Sequence, residues 1–165
     1  MQNLQDNLAD APLIIQWCQT SSAAQLIRTA KWIYPSIEIV HLAGLILVFG
    51  SMLVLNLRIF GRVLRSTPVE EVARGLAPIT IVGLLLQLLS GPLLFVTSAV
   101  RFYQSVPFLI KIVLLIAALT YHFSVHRPLA FRSTNVTGQL RRSATVSMLS
   151  WTGVVLAGLA IELLA

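Results

Sequence analysis

PSIEIVHLAGLILVFGSMLVLNLRIFG, residues Pro35 to Gly61, decides the fold. The run is apolar over more than the ~20 residues a helix needs to cross a bilayer. It also holds two ionisable side chains, Glu38 and His41, one helical turn apart on one face. Such groups at membrane depth cost several kcal/mol unless they are paired or ligated. Their retention marks a functional site facing the inside of a bundle.

Three further apolar runs follow, so spans are expected at about 34–58, 78–100, 107–126 and 144–164. Gly91-Pro92 should kink the second, and Pro107 suits the opening of the third. Over the 165 residues, 56% are hydrophobic, 11% are charged and the mean hydropathy is +0.83. A soluble domain carries roughly 25% charged residues, so the chain reads as an integral membrane protein. The expected architecture is all-α, an antiparallel four-helix bundle over 32–165 preceded by an amphipathic interfacial region over 1–31. In that region Asp10 and a Ser22-to-Gln25 capping box start two short helices, anchored by Trp17, Trp32 and Tyr34. It lacks the basic and short apolar segments of a cleavable signal. Cys18, the sole cysteine, forms no internal disulfide and builds no thiolate metal cage.

The net charge of +6 does not imply nucleic-acid binding, because the arginines sit at the ends of apolar spans. Arg58, Arg62, Arg65 and Arg74 flank the first connection, and Arg127, Arg132, Arg141 and Arg142 the third. Arg28, Lys31 and Arg101 lie at the other end. This asymmetry places the first and third connections in the cytoplasm and both termini outside it.

Helical periodicity gives each span one polar or small-residue stripe. Glu38, His41, Met52 and Asn56 share a face of the first. Thr80, Gly83, Gln87 and Gly91 do so in the second, Lys111, Ala118, His122 and His126 in the third, and Met148, Trp151, Gly158 and Glu162 in the fourth. Glu38, His41, Lys111 and Glu162 reach a similar depth, where Glu38 is expected to accept the ring hydrogen of His41. His122 lies about 12 Å deeper than His41. Two axial nitrogens on one haem iron are about 4 Å apart, so that pair does not serve one haem within a chain. The plainer readings are a register-fixing ion pair for Lys111, packing for Met148, and a solvated helix end for His126, whose removal is expected to be silent. Gly153, Ala157 and Ala160 offer a face for self-association. No phosphate loop, nucleophile elbow or zinc helix is present.

W-x-Y-P-x-I-E-x-x-H-L-x-G at Trp32 to Gly44, L-x-L-R-I-F-G at Leu55 to Gly61 and P-V-E-E-V-A-R-G-L-A-P at Pro68 to Pro78 resemble a family of uncharacterised bacterial four-helix membrane proteins. His41-x-x-Gly44 with Arg58-x-Phe60, and Lys111 before Tyr121-His122, are more distantly similar to the HemJ-type protoporphyrinogen oxidases. The membrane domain of the CopD copper-resistance proteins is also broadly similar. The oxidase likeness implies b-type haem and marks His41, Arg58, Lys111 and His122. Where those oxidases have a further histidine, this chain has Gly61-Arg62-Val63. The resulting expectation is a haem- or porphyrin-binding redox protein of the bacterial inner membrane, working with a redox partner protein. The alternatives are a copper or ion transporter built on His41 and Glu38, and a structural accessory subunit.

Overall fold

The computed structural model describes residues 11–163, with Glu162 described by its backbone alone. The Asp10 cap and the Glu162 side chain therefore lie outside the described residues. Helices α1 (Leu13–Thr20) and α2 (Ser22–Thr29) precede α3 (Ile33–Ile59) and α4 (Val69–Thr97). A short α5 (Ala99–Gln104) leads into α6 (Val106–Tyr121). A π-helical turn (His122–His126) then passes into α7 (Arg127–Arg132), and α8 (Gly138–Leu163) ends the described chain. No strand occurs among the described residues. Four helical stretches are long and apolar enough to cross a membrane, as in a multi-pass membrane protein: Ile33–Ile59, Val69–Thr97, Val106–Arg132 and Gly138–Ile161.

The bundle is antiparallel. Ser51 meets Thr80 and His41 meets Ser90, so contacts between α3 and α4 run in opposite directions along the chain. Leu114 meets Gly153 and His126 meets Ser143, which orders α6 and α8 the same way. α4 packs on α3, α3 on α8 and α8 on α6, while α4 closes the ring against α7. Among the described residues α4 and α6 make little contact, so the bundle is tight at the first-and-third-connection end and more open at the terminal end. Ile39, Ile46, Leu85, Leu88, Leu149 and Leu156 point outward, as a lipid-facing surface requires.

Two glycines set the α3–α4 distance. A Cβ at Gly83 would lie 2.8 Å from Val48 Cγ2 and 2.9 Å from the Gly44 carbonyl oxygen. A Cβ at Gly44 would lie 3.0 Å from the Gly83 carbonyl oxygen. Small residues at such a crossing let backbones approach where lipid supplies no hydrophobic drive for association. Gly61 ends α3 with φ +70, and the Gly61 and Arg62 amides bond back to the carbonyls of Arg58 and Leu57. That pairing is a Schellman stop. Arg58 Nε donates to the Thr67 carbonyl at 2.7 Å, bracing the first connection.

Three expectations shift. α4 starts at Val69 rather than near 78, with Pro68 as cap and Glu70 and Glu71 in a first turn that favours anions. The third span runs on to Arg132, past the expected end at 126. The cap of α2 is Ser21, whose hydroxyl accepts from the Ala24 amide at 3.2 Å, so the Ser22 box is displaced by one residue. The two N-terminal helices dock on the terminal end. Arg28 donates to the carbonyls of Thr97 at 3.1 Å and Gln19 at 2.8 Å, and the Gln19 side chain accepts from the Val100 amide at 2.8 Å.

Candidate functional site

The residues singled out from sequence fall into two groups at opposite ends of the bundle. At the terminal end, α3 presents half-buried His41 toward α4. His41 Nδ1 lies 2.8 Å from Ser90 Oγ. Ser90 has one hydroxyl hydrogen, and it points to the Leu86 carbonyl at 2.5 Å. The Ser90 oxygen therefore accepts from His41 Nδ1–H, which leaves the lone pair on Nε2. A ring held by one nitrogen while the other is a donor is the arrangement of a metal-ligating imidazole.

The His41 backbone is fixed as well, since Gln87 Nε2 donates to its carbonyl at 2.8 Å. The ring edge packs along Gly91, where a Cβ would make an ordinary contact at 3.5 Å from His41 Cε1. Across the bundle, Lys111 on α6 lies along Gly158 of α8, where a Cβ would stand 3.7 Å from Nζ. Lys111 is close enough to His41 to act on it electrostatically. Glu38, half-buried one turn before His41, does not take the ring hydrogen as expected. A residue one turn away on the same helix competes poorly with a serine facing it from the neighbouring helix.

At the other end stand Arg58, His122 and His126, with Asn56. His41 and Asn56 are about 22 Å apart along α3 at ~1.5 Å per residue. The set marked by the oxidase likeness is thus not brought together: His41 and Lys111 share one end, Arg58 and His122 the other. His41 and His122 do not fit the two faces of one haem in this chain. No three His, Cys, Asp or Glu residues converge into a metal cage among the described residues.

His126 corrects an expectation. It is fully buried at 0% exposure, and its Nδ1 lies 3.0 Å from Ser143 Oγ. The helix continues through it into α7, and the first turns of α8 cover it. Ala130, one turn on from His126, and Ala144, next to Ser143, are equally buried. His126→Ala is therefore not silent. Loss of the ring and stranding of Ser143 should cost about 2–4 kcal/mol, read as a lower melting temperature in detergent.

A Cβ built at Gly153 would lie 3.4 Å from Leu114 Cδ1 of α6 in the same chain. Sequence reasoning missed Ser90, Ser143 and Ser147. Ser90 falls seven after Gly83 and Ser147 four before Trp151, at helical spacing from stripe residues, and Ser143 lies one further turn before Ser147.

Residues 14–163 match a family of unknown function, DUF6644. No curated protein and no solved structure matches the chain.

Proposed function

The chain belongs to the DUF6644 family, whose function is unknown, and from its site we propose that it is a membrane-integral redox protein that binds a haem or related porphyrin through His41. The observation that carries this reading is the Leu86–Ser90–His41 hydrogen-bond chain, which fixes the ring and leaves the Nε2 lone pair to ligate a metal. The group would supply one-electron chemistry. His41 would ligate its metal, with Gly91 against the ring edge. Lys111 would meet an acidic substituent as a point charge. The loose contact between α4 and α6 gives a flat ligand a way in from that side.

His41 is the one histidine of the described residues at that end, so any further ligand to the group would come from a second copy or a partner. Self-association over the Ala157 and Ala160 face of α8, and a redox partner protein, belong to the same proposal. So does an orientation with the arginine-rich connection end in the cytoplasm of a bacterial inner membrane.

The test is titration of haemin into detergent-solubilised protein. Saturable binding with a Soret shift at one site per chain supports the reading. Ser90→Ala should weaken it by about 10–100-fold, the usual effect of losing the partner that orients a ligand. Absence of saturable haemin binding, together with stoichiometric copper in the purified protein, would move the function to copper handling by His41 and Glu38.

A further inference from the structure

The connection end of the bundle holds a second polar cluster that the haem reading does not use. Asn56, His122 and His126 are 0%, 3% and 0% exposed. Each has one buried polar atom without a hydrogen-bond partner in the protein: Asn56 Oδ1, His122 Nδ1 and His126 Nε2. A buried polar atom left unpaired costs about 1–3 kcal/mol, so three in one cluster point to something that pairs them.

The packing brings the three residues to one level. Asn56 reaches Ser147 Oγ at 3.5 Å, and His126 reaches Ser143 Oγ at 3.0 Å, one turn away on the same face of α8. α6 and α8 are antiparallel, so His122, one turn before His126, stands level with Ser147. The two imidazole centroids are 5.9 Å apart, too far for direct bonding and near enough for one small bridging group. The backbone is specialised here. The Arg127 amide bonds to the His122 carbonyl, making a π-turn, an irregularity found often at functional sites.

The chemistry of the surroundings selects the bridging group. A cavity of about 20 Å³ opens on the α4 side of His122, lined also by Met52, Leu55, Thr80, Phe123 and Arg127 but by neither Asn56 nor His126, so water can reach the cluster at His122. A water needs about 10–15 Å³ and two to four polar partners. No three His, Cys, Asp or Glu residues converge here among the described residues, which disfavours a metal cation. Asn56 Oδ1 accepts only, which disfavours an anion.

We infer that this end of the bundle holds bound water between Asn56, His122 and His126, and that the two imidazoles with this water form a proton-transfer element. Histidine chains buried in membrane bundles serve as proton relays. One step balances as follows. A ring N–H gives its proton to the water oxygen, and the water gives a different hydrogen to the lone-pair nitrogen of the other ring. The first ring thereby passes from imidazolium to neutral imidazole, the second from imidazole to imidazolium, and the water ends neutral. Ser143, beside His126 Nδ1, is the hydroxyl that exchanges with the far side of that ring.

The experiment is nuclear magnetic resonance on ¹⁵N-histidine-labelled protein in phosphatidylcholine nanodiscs, with water as the probe. The wild type should show cross-relaxation from water to the His122 and His126 rings, and ring N–H exchange with D₂O despite their burial. Asn56→Leu removes the acceptor at similar volume, and should slow that exchange at least tenfold while the melting temperature confirms a folded bundle. The wild-type spectrum decides hydration by itself, so the inference does not depend on the variant folding. Rings that see no water, a stoichiometric metal on them, or an unchanged exchange rate in Asn56→Leu would each overturn it. Haemin binding at His41 should be unaffected in Asn56→Leu, which separates this inference from the haem reading.

Discussion

Replacing His41 with alanine is expected to abolish bound haem while leaving the helical circular dichroism intact. The ring supplies the one oriented imidazole at its end of the bundle, and its loss should lower haemin affinity by more than about 100-fold, beyond the usual effect of an orienting residue. The structural cost is small. His41 is half-buried, and Ser90 keeps its bond to the Leu86 carbonyl when the ring is gone. A single side-chain loss of this kind costs roughly 1–2 kcal/mol. His122→Ala is the companion variant and should bind haemin as the wild type does. Equal haemin binding by His41→Ala and the wild type would make the terminal-end cluster structural.

Gly83→Leu should break the bundle where the first two spans cross. The added Cβ would sit 2.8 Å from Val48 Cγ2 and 2.9 Å from both the Gly44 carbonyl oxygen and Leu47 Cβ. One of these is backbone and cannot rotate away, so α3 and α4 must separate. The cost is about 3 kcal/mol or more, which corresponds to a fall in melting temperature of roughly 10 °C for a chain of this size. Separation would also pull Ser90 and Gln87 off His41, so haemin binding should fall with stability. Gly50→Leu is the control on the partner helix α3, because nothing lies within 4 Å of a Cβ there. An unchanged melting temperature in Gly83→Leu would mean that the two helices are not held at this crossing.

The spans were legible because an apolar run long enough for a bilayer leaves little choice of structure. The inward faces of α3 and α8 were legible too. Met52, Asn56 and Trp151, picked out by period alone, are all buried. What periodicity could not give was the partner across an interface. Glu38 is the neighbour of His41 in sequence, and Ser90 is its neighbour in space, forty-nine residues away. The axial offset between α3 and α4 that brings them together is set by the Gly44–Gly83 contact, which no count along one helix contains.

His126 shows the other limit. Beside Arg127 and Pro128 it reads as a helix end, because a proline and a run of basic residues usually close a span. Pro128 instead occupies the first turn of α7, where its missing amide hydrogen costs little. The π-turn carries the helix past it without a break in hydrophobic pattern. The third span therefore runs six residues beyond the expected end, to Arg132, and the histidine that looked solvated lies beneath α8.

The central claim is that His41 holds a porphyrin metal. The measurement that tests it most directly is the visible absorption spectrum of the protein purified from its own membrane, with the haem-to-chain ratio determined on the same sample. The account predicts a Soret band in the wild type that is absent from His41→Ala prepared in parallel. A wild-type protein without a Soret band, from cells supplied with haem and with the bundle folded, would contradict it.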